Sequence, residues 1–220
     1  MNSMLKINKN KTVNNLQSVL DTNGDIRIIN SATRNLVGRF YFTSIDSKDT
    51  KRFIKTVERL VRTSPSYSGY VKYLSEQGLV MDVVYSKITA EKATLEFHHY
   101  PFTLYDIVEI VVNYHVRKRD EFTSLSIAEE VIKLHYENLV GMARLAKTSH
   151  QLTHAGKLFV PLDSVFGNVN EFVHRYYDGL FPDQIETFNS LVAYDETYPG
   201  LPVKDPNIPW VYIGGFLKDI

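Results

Sequence analysis

The spacing of apolar residues changes along this chain, and the change determines which elements can form. Over residues 49–63 apolar side chains recur every three or four positions, which predicts an amphipathic helix. The same spacing returns from Leu104, where Thr103 and Asp106 have the arrangement of a capping box. Further helices are predicted over 70–78, over 124–140 with Ser124 or Ser126 as its cap, over 147–157 and around 169–180.

Two runs between the helix predicted over 70–78 and the helix predicted from Leu104 are instead typical of β-strands. Residues 79–88 and 93–100 are rich in β-branched and aromatic residues, and only the polar turn TAEK separates them. This short connection predicts an antiparallel hairpin. Strands and helices in separate stretches make the predicted fold class α+β.

The chain is predicted to have four consecutive parts. They are a β-rich N-terminal segment over 1–50, a helical segment over 51–79, a core over 80–167, and a C-terminal helix with an extended tail over 168–220.

Composition limits the chemistry that is available. The chain has no cysteine, which excludes disulfides, thiolate nucleophiles and cysteine-bound zinc, and leaves histidine and carboxylate as metal ligands. Lysine plus arginine and aspartate plus glutamate are equal at 25 each, so nucleic-acid binding would require a local basic surface. No apolar run is long enough to span a membrane, which favours a soluble, cytoplasmic protein.

Four histidines form the most informative pattern. His98 and His99 are adjacent at the end of a predicted strand, so their side chains point to opposite faces. His150 and His154 are four residues apart and share one face of a predicted helix, a spacing that supplies two nitrogen ligands to a metal. One imidazole of the pair would then face the metal and the other the substrate. Glu96 shares the strand face of His98 and is expected to contact that ring.

The segments FHHYP and ENLVGMARLAKTSHQLTHAGK resemble the HNH, or ββα-metal, endonuclease motif. Ala146 and Ser149 stand where many members have zinc-knuckle cysteines, and the histidine layout is similar to that of the colicin-type branch. The chain also resembles a group of tailed-phage proteins with the pattern HH-x-PFTLYDI, HY-x-NLVG and H-x-L-x-H. The resemblance covers about residues 80–167 and implies a ββα-metal core there.

The resemblance also implies roles for particular residues. His98, His150 and His154 would hold one divalent ion, namely Mg²⁺, Mn²⁺, Ni²⁺ or Zn²⁺. His99 would be the general base that takes a proton from the attacking water, because imidazole is a suitable base near neutral pH. Asn138 would orient His99.

The expected activity is metal-dependent hydrolysis of DNA phosphodiesters. Arg144, Lys147 and Lys157 flank the later histidines and are expected to contact phosphates. DNA is therefore the expected partner, and a phage-encoded protein of this kind would act in the host cytoplasm.

Two other interpretations remain open. The first is a non-catalytic interaction or structural module of a phage complex, which keeps the metal-binding fold and contacts another phage protein. The second is an ordinary α+β domain without metal, whose histidines occupy an exposed helix face. The remaining histidines are expected to be boundary residues, and Glu129 and Glu130 to form a solvated helix face.

Overall fold

The computed structural model describes residues 48–85, 87–158 and 160–197. Most of the predicted β-rich segment and the predicted extended tail lie outside these residues. In chain order the elements are α1 (Lys48–Thr63), α2 (Pro65–Glu76), β1 (Leu95–His99), α3 (Leu104–Lys118), α4 (Ser124–Tyr136), β2 (Met142–Ala146), α5 (Lys147–His154), a 3-10 turn (Leu162–Ser164), α6 (Val169–Arg175), a second 3-10 turn (Tyr177–Gly179) and α7 (Pro182–Thr197). The prediction of an α+β fold is confirmed.

The described residues form two compact units, each assembled from separate stretches of chain. The helical unit comprises 48–79, 102–140 and 168–181, and the sheet unit comprises 80–101, 141–167 and 182–197. Within 48–85, 87–158 and 160–197, no helix combines the length and the hydropathy needed to cross a membrane.

The helical unit is organised around α1, which contacts both α3 and α4. The predicted apolar face of α1 is buried, and the ring of Phe53 meets that of Phe122 edge-on at 5.8 Å. Burial of one helix stripe against two neighbours is the main source of stability for a helix of this length. The helix predicted over 49–63 is confirmed.

Local capping determines where α3 and α4 begin. The Thr103 hydroxyl accepts a hydrogen bond from the Asp106 N–H, and the Asp106 carboxylate accepts one from the Thr103 N–H at 2.8 Å, as predicted. At α4 the predicted cap is wrong, because Thr123 is the N-cap. The Ser126 hydroxyl accepts from the Thr123 N–H at 2.9 Å, so Ser126 completes the capping box from the third helical position.

The 3-10 turn at Tyr177–Gly179 lies against α3. The Asn113 side-chain amide donates to the Gly179 carbonyl at 2.7 Å. A β-carbon at Gly179 would collide with the carbonyl oxygen of Ile110, so only glycine permits this approach.

The sheet unit contains a two-stranded antiparallel sheet that differs from the predicted hairpin. β1 pairs with β2, and His98 lies opposite Ala143. Within 79–85 and 87–88 no strand forms; Met81 makes an isolated bridge with Thr89, and the Val83 N–H donates to the Arg144 carbonyl at 2.8 Å. The predicted hairpin partner is therefore wrong, and β2 is a strand that the sequence patterns did not indicate.

The hydrogen bonds of the Asp82 carboxylate explain why a turn forms at 82–85 in place of the predicted strand. Asp82 is buried and accepts hydrogen bonds from the N–H groups of Val84 and Tyr85, both at 2.8 Å, which is a local turn. The same carboxylate accepts from the Ala146 N–H at 2.6 Å, where β2 ends and α5 begins. α5 contacts both strands.

A hydrogen-bonded cluster in the helical unit surrounds His115. Its Nδ1 lies 2.8 Å from an Asp120 oxygen and its Nε2 lies 2.7 Å from a Glu130 oxygen. The Tyr176 hydroxyl donates to the other Glu130 oxygen at 2.7 Å. Glu130 is thus a bonded residue, and the prediction of a solvated face is wrong for it.

The cluster shifts the pKa values of its members. The hydrogen bond to Glu130 raises the pKa of His115, burial opposes the rise, and the bond to Asp120 adds to it. Burial would raise the pKa of Glu130, but the hydrogen bonds from His115 and Tyr176 outweigh burial and lower it. Both shifts favour the imidazolium–carboxylate pair.

We expect His115 to make stability depend on pH. Because its folded-state pKa is raised, its stabilisation is complete below the unfolded value of about 6.5 and is lost as the pH rises through the folded value. The melting temperature of the wild type should therefore fall more steeply between pH 6 and pH 8.5 than that of His115→Gln. The exposed His174 provides the control, since His174→Gln should keep the wild-type slope. Parallel profiles for the wild type and His115→Gln would contradict this prediction.

Candidate metal centre

The candidate metal centre lies on one face of β1. Because side chains alternate along a strand, Glu96 and His98 share this face and His99 occupies the other. α5 covers the face of His98 and turns His150 and His154 toward it, one helical turn apart. Strand alternation and helical periodicity together bring three histidines to one place.

The three imidazoles are close enough to share an ion. One ligand nitrogen from each of His98, His150 and His154 lies within 4.8 Å of the others. The ring centroid of His98 is 4.5 Å from that of His150 and 4.8 Å from that of His154. The Nε2 atoms of His150 and His154 are 2.9 Å apart.

Glu96 contacts the ring nitrogen of His150 that does not face His154. Its Oε2 lies 2.7 Å from Nδ1 of His150, so the expected contact with His98 is replaced by one with a different ligand candidate. A carboxylate can only accept, which means that Nδ1 of His150 carries the hydrogen and Nε2 faces His154. A carboxylate behind a histidine is a common arrangement for fixing the ring of a metal ligand.

The dimensions and the chemistry of the cluster fit a transition-metal ion. Two nitrogens on a tetrahedral ion with bonds of about 2.0–2.1 Å are roughly 3.3–3.4 Å apart. The Nε2 atoms of His150 and His154 are slightly closer than this at 2.9 Å, and the three ligand nitrogens lie within 4.8 Å of one another, so binding an ion requires ring movements of this order. Three imidazoles suit zinc, nickel or copper better than the oxygen-seeking Mg²⁺ or Ca²⁺. His98 is 9% exposed and His154 is open to solvent, which gives an ion a route of entry.

His99 does not join this cluster of ligands. It is 4% exposed and lies opposite Met142 in the sheet, on the strand face away from His98. Its role as general base stays a prediction.

Asn138 serves the backbone at the end of α4. Its φ is 56°, its N–H donates to the His135 carbonyl at 2.9 Å, and its carbonyl accepts from the Asn168 N–H at 2.6 Å. Asparagine is one of the few residues that adopt this left-handed conformation at low cost. Asn138 belongs to the helical unit and His99 to the sheet unit, and a catalytic role for Asn138 stays a prediction.

The three predicted phosphate contacts have different surroundings. Arg144 lies opposite Phe97, on the sheet face that points away from His98, with its Cζ 4.2 Å from the ring centroid. Burial lowers the pKa of Arg144. Lys147 and Lys157 are exposed, one at the first residue of α5 and the other just after its end.

The sequence patterns missed one residue that supports the centre. α5 begins without a side-chain cap of its own, and the buried Asp82 accepts the Ala146 N–H immediately before it. An aspartate inside an otherwise apolar run was the available signal, because a buried carboxylate needs partners.

We expect one divalent transition-metal ion per chain to stabilise the protein through the three histidines. An ion at about 100 times its Kd stabilises by about 2.7 kcal/mol, which is roughly 5–10 °C in melting temperature for a chain of this size. The shift with Zn²⁺ or Ni²⁺ should disappear in His154→Gln and remain in His174→Gln, a matched change at an exposed histidine. An equal shift in both variants would rule out this centre.

The contact between Glu96 and His150 predicts a second effect on metal affinity. Glu96→Gln keeps the size of the side chain and removes its charge, and loss of such a partner weakens metal binding by roughly 10–100-fold. Titration calorimetry with Zn²⁺ measures the change. Glu91→Gln, at an exposed turn residue of the same unit, should bind like the wild type, and unchanged affinity in Glu96→Gln would show that Glu96 does not orient the ligand.

Comparison with known proteins identifies the family of the chain. A family model described as bacteriophage G278-like virion protein matches residues 1–205. Comparisons with curated proteins and with solved structures give no match. The predicted phage context is confirmed by the family match. The chain belongs to the bacteriophage G278-like virion protein family.

Proposed function

We propose that this virion protein binds one divalent transition-metal ion at His98, His150 and His154 and hydrolyses phosphodiester bonds of DNA. The observation that carries the proposal is the convergence of the three ligand nitrogens within 4.8 Å of one another. The hydrogen bond from His150 to Glu96 supports it, because ring orientation behind a ligand is a feature of metal sites.

The order of elements around the histidines also supports the proposal. β1 pairs antiparallel with β2, and α5 follows β2 without an intervening loop. Strand, strand and helix, with ligands on the first strand and on the helix, is the order expected of an HNH-like ββα-metal core. Residues 100–141, which contain α3 and α4, would then be an insertion between its two strands.

The number of histidines favours a reactive centre over a closed one. Structural zinc sites have four protein ligands, whereas hydrolytic sites have three and leave a position for water. The cluster found among the described residues contains three. A bound ion of this kind supplies positive charge for the phosphate and lowers the pKa of a coordinated water.

In this proposal each of the remaining roles belongs to a residue of the chain. His98, His150 and His154 hold the ion, and Glu96 keeps Nε2 of His150 directed toward it. His99 takes the proton of the attacking water. The exposed Lys147 and Lys157 contact phosphates on either side of α5.

A second candidate function is a structural metal site in a non-catalytic phage module. The observation that favours it is the burial of His99, which is 4% exposed on the face away from His98. A base so placed needs a local rearrangement before it meets water. In this alternative the ion stabilises the sheet unit, and the partner is another phage protein.

Nicking of supercoiled plasmid tests catalysis. Metal-stripped protein reloaded with Zn²⁺, Ni²⁺, Mn²⁺ or Mg²⁺ should convert plasmid to open circles with at least one ion. His99→Gln should slow nicking by roughly 10²–10⁴-fold, the usual contribution of a general base, and should keep the metal-induced rise in melting temperature. His154→Gln should lose both the nicking activity and the metal-induced rise in melting temperature, and His174→Gln should lose neither.

The same experiment separates the two candidate functions. Metal-induced stabilisation without nicking by any of the four ions would reject the nuclease and leave the structural site. Nicking that survives in His154→Gln would point to a contaminating nuclease and would overturn the proposal.

A further inference from the structure

One face of α1 is strongly basic. The helix has six cationic residues and two acidic ones. At about 100° per residue, all six cations fall within an arc of roughly 100°. They are Lys48, Lys51, Arg52, Lys55, Arg59 and Arg62, and all six are exposed. This arc is called the basic face below.

The opposite face of α1 is buried in the core of the helical unit. Its apolar side chains are at most 4% exposed and pack within the helical unit; they are Phe53, Ile54, Val57, Leu60 and Val61. Helical geometry places the centres of the two arcs about 170° apart. Burial of one face therefore turns the basic face to solvent and holds its cations in a rigid row.

The charge of the basic face is only partly neutralised. Glu58 accepts hydrogen bonds from Nε and Nη2 of Arg62 at 3.1 and 2.9 Å, at one edge of the arc. Among the side chains that the structure describes, no other ion pair involves this face. With six cations and two acids, the helix carries 6 − 2 = +4, although the whole chain has a net charge of zero.

Two other exposed lysines of the helical unit are paired with carboxylates. Lys72 lies 3.9 Å from Glu76 and Lys133 lies 3.7 Å from Glu137, each four residues along the same helix. Such pairs are typical of a solvated helix surface, where charges of both signs alternate. The basic face has the one-sided charge of a binding surface.

We propose that the basic face of α1 binds the phosphate backbone of double-stranded DNA. Lys48 and Arg62 are about 21 Å apart along the axis at 1.5 Å per residue, a length that equals the rise of roughly six base pairs along a duplex. Lysine and arginine side chains that contact only phosphates hold a protein in place on the duplex and give it no sequence preference. The inference rests on the proposed function only for its choice of DNA, and it requires neither metal nor hydrolysis.

An anionic membrane is a less suitable partner for this helix. Amphipathic helices bind bilayers by inserting their apolar face below the headgroups. In α1 that face is buried among α3 and α4, so only the charges would be available to a lipid surface.

Fluorescence anisotropy with a labelled 30-base-pair duplex in EDTA tests the inference. We compare the full-length wild type with the triple variant Lys51→Gln/Lys55→Gln/Arg59→Gln over a salt titration. Each neutralised phosphate contributes about 0.9 to the slope of log affinity against log salt, so the slope should fall by about two to three units. Affinity at about 0.1 M salt should fall roughly tenfold or more.

The matched control removes the same charge elsewhere in the helical unit. Lys72→Gln/Arg117→Gln/Lys133→Gln should bind DNA within about twofold of the wild type. An equal loss of DNA affinity in both triple variants would show that binding follows the net charge and not the basic face, which would contradict the inference. Absence of wild-type binding in EDTA would also reject it. Binding to anionic vesicles with no binding to the duplex would also overturn it.

The result separates this inference from the proposed function. Metal-free binding that depends on α1, without nicking by any metal-loaded protein, supports the basic face and rejects the nuclease. Nicking by a protein whose DNA affinity is unchanged in the α1 variant supports the nuclease and rejects the basic face.

Discussion

The antiparallel pairing of β1 with β2 is the constraint on which the candidate metal centre depends. β1 carries His98, and β2 leads without a loop into α5, which carries His150 and His154. The carboxylate of Asp82 strengthens this junction by accepting the Ala146 N–H at the point where strand becomes helix. The register of two short strands thus determines whether three imidazoles meet, because a shift by one residue would turn His98 to the other face.

Histidine is used in three different ways in this protein, and the surroundings explain each. His150 is backed by a single carboxylate and keeps a nitrogen available for a ligand. His115 lies between two carboxylates, which favours the charged ring. His135 is fully buried, and burial lowers its pKa to about 4 even though its Nδ1 donates to the Val131 carbonyl. The same side chain is therefore a candidate ligand, a charged bridge or a neutral core residue.

The two units present two different candidate surfaces for a phage protein. The sheet unit has a compact cluster of imidazole nitrogens, which suits one small cation. The helical unit has a row of cations on α1, which suits an extended anion. A chain with no net charge can hold both, since local surfaces and not the total charge determine what is bound.

The sequence alone determined much of the local structure. Apolar spacing predicted the main helices, a threonine and an aspartate predicted the start of α3, and the His-x-x-x-His spacing placed His150 and His154 on one face of α5. These features depend on contacts within a few residues, or on one helix face, and so they can be read from a short stretch of chain.

Only the tertiary structure decided the strand partner, the carboxylate behind His150 and the surroundings of Arg144. β2 is five residues long and its partner is separated from it by residues 100–141, so no local pattern distinguishes it from a loop. The buried Asp82 stops the nearby run from becoming the partner strand, because its carboxylate takes up backbone N–H groups in a turn. Contacts between distant residues depend on the whole set of competing pairings, and that competition is resolved only when the chain packs.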